Sequence, residues 1–158
     1  MPITVSRSPS AASGRETILL VEDAEPLRKL ALRFLENHGY RVIQAQDGEE
    51  ALTVVRGLSE RIQLMLTDVV MPGMNGRVLA EKLLPSHPEM KVLYMSGYTD
   101  SFIAGHGVLE QGTALIHKPF SEEDLLAKVR EVLDRPAGEA GEHSFKNLQS
   151  AVTRGKEI

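Results

Sequence analysis

Leu64-Met65-Leu66-Thr67-Asp68-Val69-Val70-Met71-Pro72-Gly73 is the stretch whose reading decides the fold. An apolar run ends in one acidic residue, and Pro72-Gly73 and then Asn75-Gly76 break the pattern. A short apolar run bounded by turn signals reads as a buried strand. The strand delivers Asp68 to its carboxyl end, where a loop begins. In open parallel α/β sheets, ligands and chemistry collect at those ends. An Asp there can also be a simple cap or turn residue, so the ends of the other strands decide what Asp68 is for.

Working outward, Thr17-Ile18-Leu19-Leu20-Val21 is apolar on successive residues, as expected of a strand covered by helices on both faces, and it ends in Glu22-Asp23. A helix is predicted over 25–38, with Leu27, Leu30, Ala31, Phe34 and Leu35 at helical spacing, Pro26 in its first turn and Gly39 at its end. The second strand is 41–45. Asp47 and Glu50 have the spacing of a capping box, opening a helix with Ala51, Leu52, Val55 and Leu58 on one face. After the Asp68 strand, a third helix is predicted over 75–84, with Val78, Leu79 and Leu83 inward, stopped by Pro85 and Pro88. Gly73 and Gly76, following Asp68, read as residues that serve the turns there.

The fourth strand, 91–95, ends in Ser96-Gly97. A weak helix is predicted over 99–111, because Gly105 and Gly107 each cost about 1 kcal/mol relative to Ala. The fifth strand, 114–116, runs into His117-Lys118-Pro119-Phe120. Ser121 then caps a helix whose first turn, Glu122, Glu123 and Asp124, suits the positive end of its dipole. Leu125, Leu126, Val129, Val132 and Leu133 form its apolar stripe.

Strands alternating with helices predict an α/β fold: a flavodoxin-like, doubly wound, five-stranded parallel sheet of order 2-1-3-4-5 with five helices. That order places Glu22, Asp23, Asp68, Ser96 and Lys118 along one edge. At 158 residues the chain fits one domain with tails: a disordered leader over 1–15, the domain over 16–134, and a tail over 135–158, disordered or carrying a short helix. Hydrophobic residues are 42%, enough for a core, and aromatics only 4%, so the core is aliphatic. The absence of cysteine excludes disulfides, thiol catalysis and cysteine-ligated metal. A net charge of −4 argues against a nucleic-acid surface. No apolar run approaches the ~20 residues of a membrane span, and no signal peptide is seen, so a cytoplasmic location without membrane partners is expected. His38, His87, His106, His117 and His143 show no metal-ligand spacing.

Carboxylates gathered at adjacent strand ends repel one another and call for a positive partner. Lys118 is one candidate and a divalent cation the other. Oxygen ligands without Cys or paired His favour Mg²⁺. A carboxylate can also act as a nucleophile and form an aspartyl phosphate. Metal and lysine would neutralise the transferred phosphoryl group, and Ser96 would hydrogen-bond it.

The set Leu20-Val21-Glu22-Asp23, Asp68-Val69-Val70-Met71-Pro72-Gly73-Met74-Asn75-Gly76, Met95-Ser96-Gly97-Tyr98 and Lys118-Pro119-Phe120 closely resembles the receiver domain of two-component response regulators. Residues 92–100 look most like receivers associated with hybrid histidine kinases. The resemblance implies a phosphorelay role, with Asp68 taking a phosphoryl group from a sensor histidine kinase or a histidine phosphotransfer protein and switching an interaction face for a downstream protein. It implies that Asp23 binds Mg²⁺ directly and Glu22 through water, that Asp68 and the backbone carbonyl of Val70 complete the metal site, that Ser96 and Lys118 contact the phosphoryl group, and that Lys118-Pro119 is cis. It also implies no enzymatic turnover beyond self-phosphorylation and slow autodephosphorylation. The chain departs from the family at Leu115, where an aromatic is usual, and at Val70, where a polar residue is common. Two alternatives share parts of the pattern. An aspartyl-phosphate phosphatase of haloacid-dehalogenase type would carry a second Asp at position 70. A flavodoxin-like cofactor binder would carry a phosphate-cradling loop where Glu22-Asp23-Ala24-Glu25 stands.

Overall fold

The computed structural model describes residues 15–97 and 113–136. The helix predicted over 99–111, Tyr98, the leader and nearly all of the tail lie outside the described residues.

Among the described residues nine elements follow in order: β1 (Thr17–Val21), α1 (Glu25–Asn37), β2 (Arg41–Ala45), α2 (Gly48–Arg56), β3 (Leu64–Asp68), α3 (Gly76–Leu83), β4 (Lys91–Ser96), β5 (Leu115–His117) and α4 (Glu122–Leu133). All strand pairs are parallel, and the sheet order is β2-β1-β3-β4-β5, the order expected from the sequence. Four of the five expected helices lie among the described residues.

The period-2 alternation of side chains divides each strand between two cores. Ile18, Leu20, Leu64, Leu66, Leu93, Met95 and Ile116 pack with Ala31 and Leu35 of α1 and Leu125, Val129 and Val132 of α4. Leu19, Val21 and Met65 pack on the other face with Ala51 and Val55 of α2 and Leu79, Ala80 and Leu83 of α3. Every residue of β1 and β3 is buried, which is why both read as unbroken apolar runs.

Local chemistry fixes where the helices start and stop. Gly39, at φ +96°, ends α1: its N–H donates to Glu36 O at 3.0 Å, and Tyr40 N–H donates to Leu35 O at 3.2 Å, the paired bonds of a Schellman motif. Asp47 caps α2 by accepting from Glu50 N–H at 2.8 Å. The Glu50 carboxylate reaches back to Gln46 N–H at 2.7 Å rather than to that of Asp47, so the expected reciprocal box is displaced by one residue. Ser121 and Asp124 make the complete box on α4. Replacing Ser121 with Ala should lower stability by about 1 kcal/mol, read from the urea midpoint. An unchanged midpoint would mean that the α4 start is held by packing alone.

Two differences from the sequence reading are small. β4 runs one residue further, to Ser96, and β5 is shifted by one, to Leu115–His117. Pairing decides both: Ser96 lies in register with His117, so ladder bonds extend past the last apolar residue of each strand.

Candidate phosphoacceptor site

Glu22, Asp68 and Lys118 each stand two positions beyond a residue of the α1/α4 core, namely Leu20, Leu66 and Ile116. Strand alternation therefore aims all three toward the same side. The backbone keeps them there, because each loop leaves its strand still hydrogen-bonded to the neighbour. Glu22 N–H donates to Ala45 O at 3.1 Å, Val69 N–H to Met95 O at 3.0 Å, and Lys118 N–H to Ser96 O at 2.8 Å. The Lys118–Pro119 peptide is cis, as the resemblance implies.

The side chains meet as expected. Lys118 Nζ lies 3.0 Å from Glu22 Oε1 and makes a second, closer ion pair with Asp68 Oδ1. Glu22 Oε2 accepts from Ala24 N–H at 2.9 Å. Glu22 and Asp68 are buried, at 1% and 3% exposure, whereas Asp23 is exposed. One carboxylate oxygen from each of Glu22, Asp23 and Asp68 falls within 4.8 Å of the others. Ser96 is buried at the end of β4, and its Oγ has no hydrogen-bond partner among the described residues. A buried, unpaired hydroxyl costs about 1–3 kcal/mol, so a site that leaves one open favours a ligand that accepts from it. Val70, two residues past Asp68, is 62% exposed and forms an apolar rim.

Burial is the main influence on the Asp68 carboxyl. With the hydrogen bond and charge of Glu22 it pushes the pKa up to about 8, against the opposing pull of Lys118. Burial also raises Glu22, but its hydrogen bonds with Asp68, Ala24 N–H and Lys118 outweigh burial and hold it below the usual range. Burial lowers Lys118, yet its two carboxylate partners more than offset this and raise it. The two buried acids face each other across Lys118, and their mutual repulsion opposes full ionisation of both. With all groups ionised, three carboxylates and one ammonium leave a formal charge of −2, which one divalent cation cancels. An all-oxygen donor set of this kind suits Mg²⁺.

Two residues of the site were not legible in the sequence. Arg28, on the first turn of α1, donates through Nη1 to Glu22 O at 2.9 Å and through Nε to Gln44 Oε1 of β2 at 3.2 Å. Gly76 reads in the sequence as serving a turn near the start of the third helix, not as a point of close approach: it begins α3 directly over Asp68, and a Cβ there would sit 2.1 Å from Asp68 O. Gly73, at φ +80° with nothing near its missing side chain, is the turn residue it was expected to be.

A family model described as the response regulator receiver domain matches residues 18–130. Sensor kinase CckA of Brucella abortus (strain 2308) is 36% identical over 123 residues, covering 78% of this chain and 13% of that protein. Response regulator receiver protein CpdR of the same organism is 29% identical over 116 residues, covering 73% of this chain and 95% of that protein. The chain thus spans a small part of the kinase and nearly all of the receiver protein. Among solved structures, the receiver domain from hybrid histidine kinase CckA superimposes with a TM-score of 0.57 at 33% identity, covering 75% of this chain and 99% of that one. No described helix is long and apolar enough to cross a membrane.

Proposed function

The chain belongs to the family of response regulator receiver domains, and from that premise we propose how its own residues carry out phosphoacceptance in two-component signalling. Asp68 is the acceptor, and the domain extends over 16–134. An Asp68 carboxylate oxygen attacks the phosphorus of a phosphohistidine on a sensor kinase or phosphotransfer protein. The new O–P bond forms as the P–N bond breaks, and the electron pair leaves with the imidazole.

The observation that carries this reading is the convergence of Glu22, Asp23 and Asp68 at one sheet edge, with Lys118 bridging the two buried acids. The residues that would hold a Mg²⁺ are Asp23 as a direct ligand, the Asp68 carboxylate and the Val70 backbone carbonyl, with Glu22 acting on it through water. The chemistry a bound Mg²⁺ supplies is neutralisation of charge on the phosphoryl oxygens. Lys118 does the same, turning from the Asp68 carboxylate to a phosphoryl oxygen, and the open Ser96 hydroxyl donates to another. The phosphatase alternative asks for a second acid at position 70, where the exposed Val70 stands.

Incubation with acetyl phosphate and Mg²⁺ should add one phosphoryl group that hydroxylamine removes. No such group, from acetyl phosphate or from a phosphorylated kinase, would overturn the proposal. Outer partners of metal ligands typically cost about 10–100-fold in affinity when removed. Asp23→Ala removes a direct ligand and should weaken Mg²⁺ binding by at least roughly that much in a calorimetric titration. An unchanged titration would remove Asp23 from the metal set.

A further inference from the structure

The three carboxylates are held very unequally. Glu22 is buried and fixed by Lys118 and Ala24 N–H, and Asp68 is buried on the last residue of β3. Asp23 is exposed, lies outside every helix and strand, and is not among the residues whose side chains form hydrogen bonds or ion pairs in the described structure. The place from which its carboxylate projects is therefore set by the backbone, through the peptide that joins it to Glu22. That peptide has a clamp. Its carbonyl oxygen accepts from Arg28 Nη1 at 2.9 Å, and the same guanidinium is oriented by Gln44 Oε1 at 3.2 Å, from a different strand. A guanidinium held at two points has little freedom of its own and so restrains the carbonyl that accepts from it.

We infer that Arg28 is a positioning residue for the metal site: it restrains the Glu22–Asp23 peptide and through it the place from which the Asp23 carboxylate projects. The inference rests on the metal roles proposed above and adds a residue that touches neither metal nor phosphoryl group. It has a consequence that charge alone would reverse. A cation near a Mg²⁺ site repels the metal, so deleting the Arg28 charge should tighten binding if charge were all that mattered. If positioning dominates, deletion should weaken it.

The test is a Mg²⁺ titration followed by the backbone amide NMR shifts of Asp23, Ala24 and Asp68, on the full chain and three variants, each also unfolded in urea. Arg28→Met should weaken Mg²⁺ binding by about tenfold, the low end of the range for partners of metal ligands. Arg28→Lys, which keeps a donor and the charge but loses the planar fork, should recover part of that loss. Gln44→Ala frees one end of the clamp and should weaken binding in the same direction by a smaller factor. Equal or tighter binding in Arg28→Met, with the wild type binding normally, overturns the positioning role and leaves the receiver reading intact. If Arg28→Met does not fold, Gln44→Ala, on an exposed side chain, decides, and unchanged affinity there overturns the inference. No binding by the wild type overturns both this inference and the proposed metal site.

Discussion

Asp68→Asn is expected to take up no phosphoryl group and yet to be more stable than the natural protein in alkaline, metal-free buffer. The first half follows from chemistry. An amide is nearly the same size as a carboxylate, but it offers no anionic oxygen to attack phosphorus. Labelling by acetyl phosphate or by a phosphorylated kinase should fall to background. A hydroxylamine-labile phosphoryl group on the variant would place the acceptor elsewhere.

The second half follows from burial. The Asp68 carboxyl titrates at about 8 in the folded chain against an ordinary value of 3.8. Its contribution to stability is fully present below the ordinary value and is lost as pH climbs through about 8. At pH ~9 the natural protein must hold two buried carboxylates on one lysine, while Asn leaves only Glu22 opposite Lys118. One pKa unit is worth ~1.4 kcal/mol; water near the site and the coupling to Glu22 reduce the full shift, so a gain on the order of 2 kcal/mol is expected. The gain should appear in urea unfolding, grow from pH ~4 to pH ~8 and then level off. Excess Mg²⁺ should stabilise the natural protein more than the variant, since a ligand that binds only the folded state adds to its stability. A variant no more stable than the natural protein at alkaline pH would show that Asp68 is not strained by burial.

Each strand end carries chemistry that is visible in one dimension, because the polar residues concerned follow within two positions of an apolar run. Glu22, Asp23, Asp68, Ser96 and Lys118 could therefore be placed on one edge once the strand order was set. The caps at Asp47 and Ser121 act within three residues and are local enough to read. What was not legible depends on contacts between distant segments. Arg28 looks like one more charged residue on an amphipathic helix, and only the adjacency of β1 and β2 brings Gln44 to it. The shift of β5 to Leu115–His117 has the same origin, because Ala114, the apolar residue that seemed to start the strand, lies before the paired segment.

Gly76→Ala should be among the most damaging single substitutions outside the charged cluster, costing roughly 3 kcal/mol or more, at the upper end of overpacking. Its Cβ would meet Asp68 O at 2.1 Å and the Thr67 methyl at 3.0 Å. Neither neighbour has room to yield. Asp68 ends the central strand β3, and its carbonyl also accepts from Thr67 Oγ1 at 3.1 Å. From the other side, Gly76 N–H donates to Val69 O at 2.8 Å, and Asn75 Oδ1 caps α3 through Val78 N–H at 2.8 Å. Relief would have to lift the start of α3 or twist the peptide after Asp68. Either would move the acceptor carboxylate relative to Lys118, so phosphorylation should fall together with stability. Gly73→Ala is the matching control. That position is open but has φ +80°, so the methyl group meets no atom and carries only the conformational cost, about 1–2 kcal/mol. Urea unfolding of the two variants should therefore differ by roughly 2 kcal/mol, with only Gly76→Ala losing labelling by acetyl phosphate. Equal losses in both would mean that the loop tolerates a side chain over Asp68 and that Gly76 is only the turn residue its sequence suggested.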